Sequence, residues 1–132
     1  MPEHKLQIRN STVDFLVFTK DAHEEGIEVR VQDHNVWLTQ KAISQLFDVD
    51  RSVVTKHLKT IFGNGELDGN SVCAFFAQTA DDGKTYRYKF YTLPAIIAVG
   101  YRVNSRRATQ FRQWATNVLD TFARQGYVLE PI

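Results

Sequence analysis

Arg51, Ser52, Thr55, Lys56 and Lys59 are the residues of this 132-residue chain whose types and spacing could do chemistry together. On a helix, residues three and four apart are surface neighbours, so these five share one face. Guanidinium and ammonium groups pair with phosphates, and short hydroxyl side chains among them hydrogen-bond the edges of bases. The chemistry in view is non-covalent recognition of a nucleic acid.

Bond-making chemistry has little to work with. His4, His23, His34 and His57 are scattered without metal-ligand spacing. His57 could reach a phosphate when protonated, and a partly buried structural role is the alternative. Cys73 stands alone, which excludes an internal disulfide and a Cys-based zinc site. It falls in a strand pattern, where a core role is commoner than a nucleophilic one. Glu24–Glu25 and Asp81–Asp82 are adjacent pairs, and neighbours on an extended chain point apart. The glycines form no phosphate loop. No enzyme activity, cofactor or metal is expected.

Two helices joined by a tight turn must position the five residues. Thr39 is a good N-cap for the first, which directs Ile43, Leu46 and Phe47 inward. Asp48 occupies the turn, Val49 plugs the space between helices, and Asp50 caps the second helix from Arg51. Val54, Leu58 and Ile61 turn that helix inward, so the five polar residues face out. Small Ser44, turn, apolar plug and inward Val54 follow the spacing of a DNA-binding helix–turn–helix. Asp48 departs from the glycine common at such a turn, and a plain helical hairpin would require the same apolar positions. Gln40, at the start of the first helix, is a further candidate DNA-binding residue.

Strands flank the pair. Residues 13–18 (VDFLVF) and 27–31 (IEVRV) are rich in β-branched and aromatic types, and the second segment places Ile27, Val29 and Val31 opposite Glu28 and Arg30. With the turn QDHN and the following VWL, residues 27–38 read as a β-hairpin. After the turn-rich GNGELDGN, residues 72–93 read as two strands around Asp82-Gly83, a strong hairpin signal. Its second strand alternates Tyr86, Tyr88 and Phe90 with Arg87, Lys89 and Tyr91. Such a hairpin has the position of a wing, with Lys84, Arg87 and Lys89 as phosphate contacts. Trp37 and the wing tyrosines could stack on unpaired bases, although sheet-face aromatics more often form core.

Two helices close the chain. One opens at Pro94, favoured at the first helical position. The other, capped by Asn104 or Ser105 and running to about Gln125 with Gly126 as its stop, carries the apolar stripe Phe111, Trp114, Ala115, Val118, Leu119 and Phe122. Arg106, Arg107 and Arg112 stand in its N-terminal half, where cations oppose the helix dipole by a few tenths of a kcal/mol each. A bound anion would explain them.

Charge is uneven. The net charge is +1, yet no acid occurs between Asp82 and Asp120, an interval holding Lys84, Arg87, Lys89, Arg102, Arg106, Arg107 and Arg112. A polyanion partner is the reading such asymmetry supports. No apolar run approaches the ~20 residues that span a bilayer, and MPEHKLQIRN lacks the apolar core of a signal peptide. A reducing, cytoplasmic setting is expected.

The stretches VWLTQKAISQLFDVDRSVVTKHLKTIFGNGELD and FYTLPAIIAVGYRVNSRRATQFRQWATNVLDTFARQGY closely resemble the N-terminal domain of the RhuM family of bacterial virulence-associated proteins. The resemblance covers about residues 27–128, and its most specific element is GYRVNSRRATQFRQWA. More distantly, the second stretch is similar to the N-terminal domains of phage antirepressors and baculovirus repeat proteins, which carry an FRRW-like element. The resemblance implies a DNA-binding or regulatory module, often followed by a further C-terminal region. Related modules occur fused to Fic-type nucleotidyl transferases, whose His-Pro-Phe motif is not found in this sequence.

The expectation is an α+β winged helix–turn–helix domain over residues 27–128, preceded by an N-terminal strand and linker (1–26) and forming the N-terminal part of a longer protein. Its expected function is sequence-specific binding of double-stranded DNA, as a homodimer, in a transcriptional or mobile-element regulator. Arg51, Ser52, Thr55 and Lys56 would read bases, and Lys59, Lys84, Arg87, Lys89, Arg106, Arg107 and Arg112 would hold phosphates. The alternatives are an antirepressor-like module that binds another protein regulator, and a regulatory appendage of an enzyme.

Overall fold

A computed structural model describes residues 6–9, 15, 27–33, 35–125 and 128–131, with side chains described for 15, 27–33 and 35–117. It is an α+β structure whose centre is a four-stranded antiparallel sheet of order β2-β3-β5-β4: β2 (Arg30–Gln32), β3 (Asn35–Leu38), β4 (Cys73–Thr79) and β5 (Thr85–Thr92). The 27–38 hairpin forms as expected, pairing Arg30 with Trp37 and Val31 with Val36. Between β4 and β5, Gly83 takes a left-handed φ of 80°, and Gly83 N donates to Ala80 O at 3.0 Å to close the Asp-Gly turn. The long-range link is β3 to β5, with Leu38 opposite Tyr91.

Two helices fill the interval between β3 and β4. Thr39 alone separates β3 from α1 (Gln40–Phe47), and its hydroxyl accepts from Ala42 N at 3.2 Å. Asp48 then adopts the left-handed conformation (φ 54°, ψ 52°), which most L-residues resist by roughly 1–2 kcal/mol and Asp tolerates better. Asp50 caps α2 (Arg51–Gly63), its carboxylate accepting from Ser52 N at 2.9 Å. Ser44, small and buried, accepts Val49 N at its carbonyl (3.0 Å), which lets the half-buried Val49 sit between the helices. A one-turn helix, α3 (Gly69–Val72), capped by Asp68, was not expected; its signal was the Asp two residues before Asn70.

β5 runs without a break into α4 (Leu93–Gly100), and α5 (Arg106–Gln125) follows. Apolar nearly all round, α4 is the central buried helix, with Ala95, Ile96 and Val99 fully covered. Gly100 is required by close approach: a Cβ there would lie 2.6 Å from Phe111 Cδ2 and 2.9 Å from Phe47 Cζ. Phe47 and Phe111 meet edge to face at 5.0 Å, and burying each such side chain contributes about 1.5–3 kcal/mol. Ser105 is the residue that caps α5: its hydroxyl accepts from Ala108 N (3.0 Å) and donates to Phe47 O (2.6 Å), tying α5 to the end of α1. The hydroxyl of Thr92, at the β5–α4 junction, is buried without a partner. Of the expected α5 stripe, Phe111 and Ala115 are buried and Trp114 is half-buried, while the side chains of Val118, Leu119 and Phe122 lie outside the described residues.

Several expectations need correction. Val31 is 55% exposed, whereas Ile27 and Val29 pack on the core. β2 is an edge strand, so Val31 lies at the margin of the helical layer. Arg30, on the face opposite Val29, lays its guanidinium 4.1 Å from the Phe76 ring centre, where cation–π attraction and stem packing hold it. Trp37, Phe76 and Phe90 form an aromatic cluster on the sheet face away from the helical core. Tyr86 and Tyr88 prolong that row but stay 42% and 38% exposed, because their end of the hairpin projects past any covering layer among the described residues. The strand expected at 13–18 lies outside the described residues except for Phe15, which is buried and helical rather than extended. An unexpected pair of short strands, β1 (Leu6–Arg9) and β6 (Val128–Pro131), runs antiparallel. The rest of the segment 1–26, with His4 and His23, as well as His34 and Gly126, lies outside the described residues.

Candidate nucleic-acid interface

The N-cap at Asp50 fixes where α2 begins, and the inward Val54, Leu58 and Ile61 fix which side it shows. Arg51, Ser52, Thr55, Lys56 and Lys59 are accordingly all exposed. Arg51, Lys56 and Lys59 engage no partner among the described residues, so their cations face solvent unneutralised. The two hydroxyls are committed. Ser52 Oγ donates to the Asp50 carboxylate, and these bonds hold the Asp50 carboxyl below its usual range. Thr55 Oγ1 lies 2.5 Å from Gln40 Oε1 and 3.1 Å from Arg51 O.

Gln40 is the hinge of the site. From the first position of α1 its amide spans Thr55 on α2 and, through Nε2 at 3.0 Å, the Tyr91 hydroxyl on β5. The Tyr91 ring also stacks on Phe62 of α2, centroids 6.2 Å apart at 15°. From Tyr91 the contacts continue outward along β5 and β4. Lys89 Nζ is 5.7 Å from the Tyr91 ring centre and 5.9 Å from that of Phe75, and Arg87 lies 5.3 Å from Phe75 on its other flank. Thr55, Gln40, Tyr91, Lys89, Phe75 and Arg87 therefore form a continuous line from α2 to the hairpin. Phe75, opposite Lys89 in the register, is 55% exposed.

Sequence reasoning did not single out Tyr91 or Phe75 as site residues. The available signal was period-two alternation, which places Tyr91 on the face of Arg87 and Lys89. For Phe75 that signal required the β4–β5 register.

The remaining expected residues lie elsewhere. Lys84 is exposed in the hairpin turn, where its backbone N donates to Asp82 Oδ1 at 2.8 Å. Asp82 also accepts from the Tyr86 hydroxyl at 2.5 Å, which holds its carboxyl low and pushes the phenol up. Arg106 is exposed and unpartnered among the described residues. Arg107 Nη1 donates to Gln45 O at 3.1 Å, near the end of α1. Arg112 donates to Gly100 O (3.0 Å), Val103 O (2.8 Å) and Thr109 Oγ1 (2.9 Å), turning its fork toward its own chain. Arg102 pairs with Glu66 at 2.7 Å, which lowers the Glu66 carboxyl. His57 is half-buried, and its pKa is lowered first by desolvation and then by Lys56 and Arg102. Burial raises the Cys73 thiol, leaving less of it as reactive thiolate. No group of side chains suited to a metal ion occurs among the described residues, and none of their helices is long and apolar enough to cross a membrane.

Sheet, helical pair and hairpin define an α+β protein with exposed cations on α2, on the β4–β5 hairpin and at the start of α5. Residues 71–131 match the family model described as "Virulence protein RhuM family", which supports a RhuM-family domain assignment for that stretch. The match takes in β4, β5, α4, α5 and β6; α1 and α2 lie before it. No curated protein and no solved structure gives a match.

Proposed function

We propose that the chain is a sequence-specific double-stranded DNA-binding module of a transcriptional or mobile-element regulator, working as a homodimer on paired half-sites. In this reading α1 and α2 are a helix–turn–helix, α2 enters the major groove, and the β4–β5 hairpin is the wing beside it. The observation that carries the reading is the Gln40 bridge, which joins the unneutralised face of α2 to the cationic face of β5 in one surface. Phosphate contacts by Arg51, Lys56, Lys59, Arg87 and Lys89 would supply affinity, and Lys84 and Arg106 would extend the footprint.

Arg51→Ala with Lys56→Ala tests it. Electrophoretic shifts with genomic fragments should show at least tenfold weaker binding for the double variant, with a shallower dependence on salt, because each phosphate contact contributes about 0.9 to the log–log slope. Wild-type affinity and slope in that variant would reject the assignment. A second reading, an antirepressor-like protein-binding module, draws on the exposed Tyr86 and Tyr88 of the other hairpin face. It requires binding to a protein that changes little with ionic strength.

A further inference from the structure

We propose that Gln40 reads an adenine, and that Tyr91 and Thr55 are positioning residues that hold its amide for the task. The inference rests on the DNA-binding reading above.

A glutamine amide has two N–H donors and two lone pairs on its oxygen. Here one position on each end is occupied: the nitrogen by the Tyr91 hydroxyl at 3.0 Å, the oxygen by the Thr55 hydroxyl at 2.5 Å. Both hydroxyls can donate or accept, so the network closes whichever way the amide is turned. In either orientation one N–H and one lone pair are left for a ligand. Presented together on the outer edge of the amide, they match the N7 acceptor and N6 donor which adenine presents in the major groove. A phosphate would take the donor and leave the acceptor idle.

The surroundings favour a reading role. Gln40 is half-buried beside the N-terminal half of α2, and Tyr91 is 3% exposed and anchored by its stack on Phe62. The amide is thus ordered during folding, so its rotamer freedom is not lost again on binding. Unpartnered Arg51 and Lys56 stand on the adjacent face of α2 for the backbone. Ser52 and Thr55, whose hydroxyls already serve Asp50 and Gln40, are not the direct readers.

The test is selection of bound duplexes from a random pool by the wild type, Gln40→Ala, Tyr91→Phe and Thr55→Val. The wild type should select a site containing an A·T position. At that position Gln40→Ala should lose adenine preference about tenfold or more, with salt slope and other positions unchanged. Tyr91→Phe, which keeps the ring and loses only the hydroxyl, should lose part of the same preference. Thr55→Val supplies the same readout should Tyr91→Phe melt early. Replacing that adenine by 7-deazaadenine should reproduce the loss for the wild type and not for Gln40→Ala. Uniform weakening across all sequences in Gln40→Ala would mark a phosphate contact and overturn the inference, as would an unchanged consensus. DNA binding without any sequence preference would overturn it while leaving DNA binding intact. No salt-dependent DNA binding would remove both.

Discussion

Along the outward face of α2, Arg51, Lys56 and Lys59 engage no partner among the described residues, whereas in the N-terminal half of α5 Arg107 and Arg112 donate to the carbonyls of Gln45, Gly100 and Val103. The two sets look alike in sequence, as cations spaced along a helix. Their surroundings differ. The carbonyl ends of α1 and α4 abut the first turns of α5, and those ends carry the negative pole of the helix dipole. The unfavourable position of the α5 arginines is thus offset inside the fold, and an external anion is not needed to explain Arg107 and Arg112. Arg106, exposed and unpartnered, belongs with the α2 set. A cation count along a sequence overstates a binding surface wherever helix C-termini lie nearby.

The anchored region should break first. Gly100→Ala forces a methyl group against Phe111 and Phe47 at the end that Arg112 caps, and should destabilise by about 3 kcal/mol, lowering the melting temperature by about 10 °C. A small shift would mean that the rings move aside. Arg112→Ala leaves half-buried carbonyls without their donor and should lose about 2 kcal/mol, while Arg51→Ala should stay within ~0.5 kcal/mol of the wild type. Equal melting of those two variants would erase the contrast. The smallest effect concerns His57, on the inner side of α2. Its folded pKa is depressed below about 6.5, so the unfolded chain binds more protons in that window and stability rises with pH. Denaturant unfolding should show lower stability at pH 5.5 than at 7.5, with a flatter profile for His57→Gln. The lowered carboxyls of Asp50, Glu66 and Asp82 act only as pH falls further, through the carboxylate range. Matching profiles would show that His57 keeps its solution pKa.

What was legible in the sequence was what local chemistry decides. Thr39, Asp50 and Pro94 announced helix starts, Val54, Leu58 and Ile61 set the face of α2, and Asp82-Gly83 marked the hairpin. Decisions that depend on distant partners were not legible. Alternation at 27–31 assigned the two faces, but the 55% exposure of Val31 on an edge strand and the cover of Arg30 by the Phe76 ring depend on neighbours the segment does not name. Tyr86 and Tyr88 have core composition, but burial depends on what lies above them. The candidate surface was half visible: the outward residues of α2 follow from periodicity, while Tyr91 enters through a bond spanning 51 positions. The β1–β6 pairing joins the two ends of the chain and has no local signature.

The junctions of the sheet have a mechanical consequence. Only Thr39 separates β3 from α1, and nothing separates β5 from α4, while β3 and β5 are paired to each other. Sheet and helices are therefore geared without slack. An inserted residue at 39 would turn α1 by about 100° against the sheet, carrying Gln40 away from Tyr91. Between α2 and α3, and between β4 and β5, turns of five residues (64–68 and 80–84) intervene instead. A change of length in either turn would leave the setting of α1 against the sheet as it is.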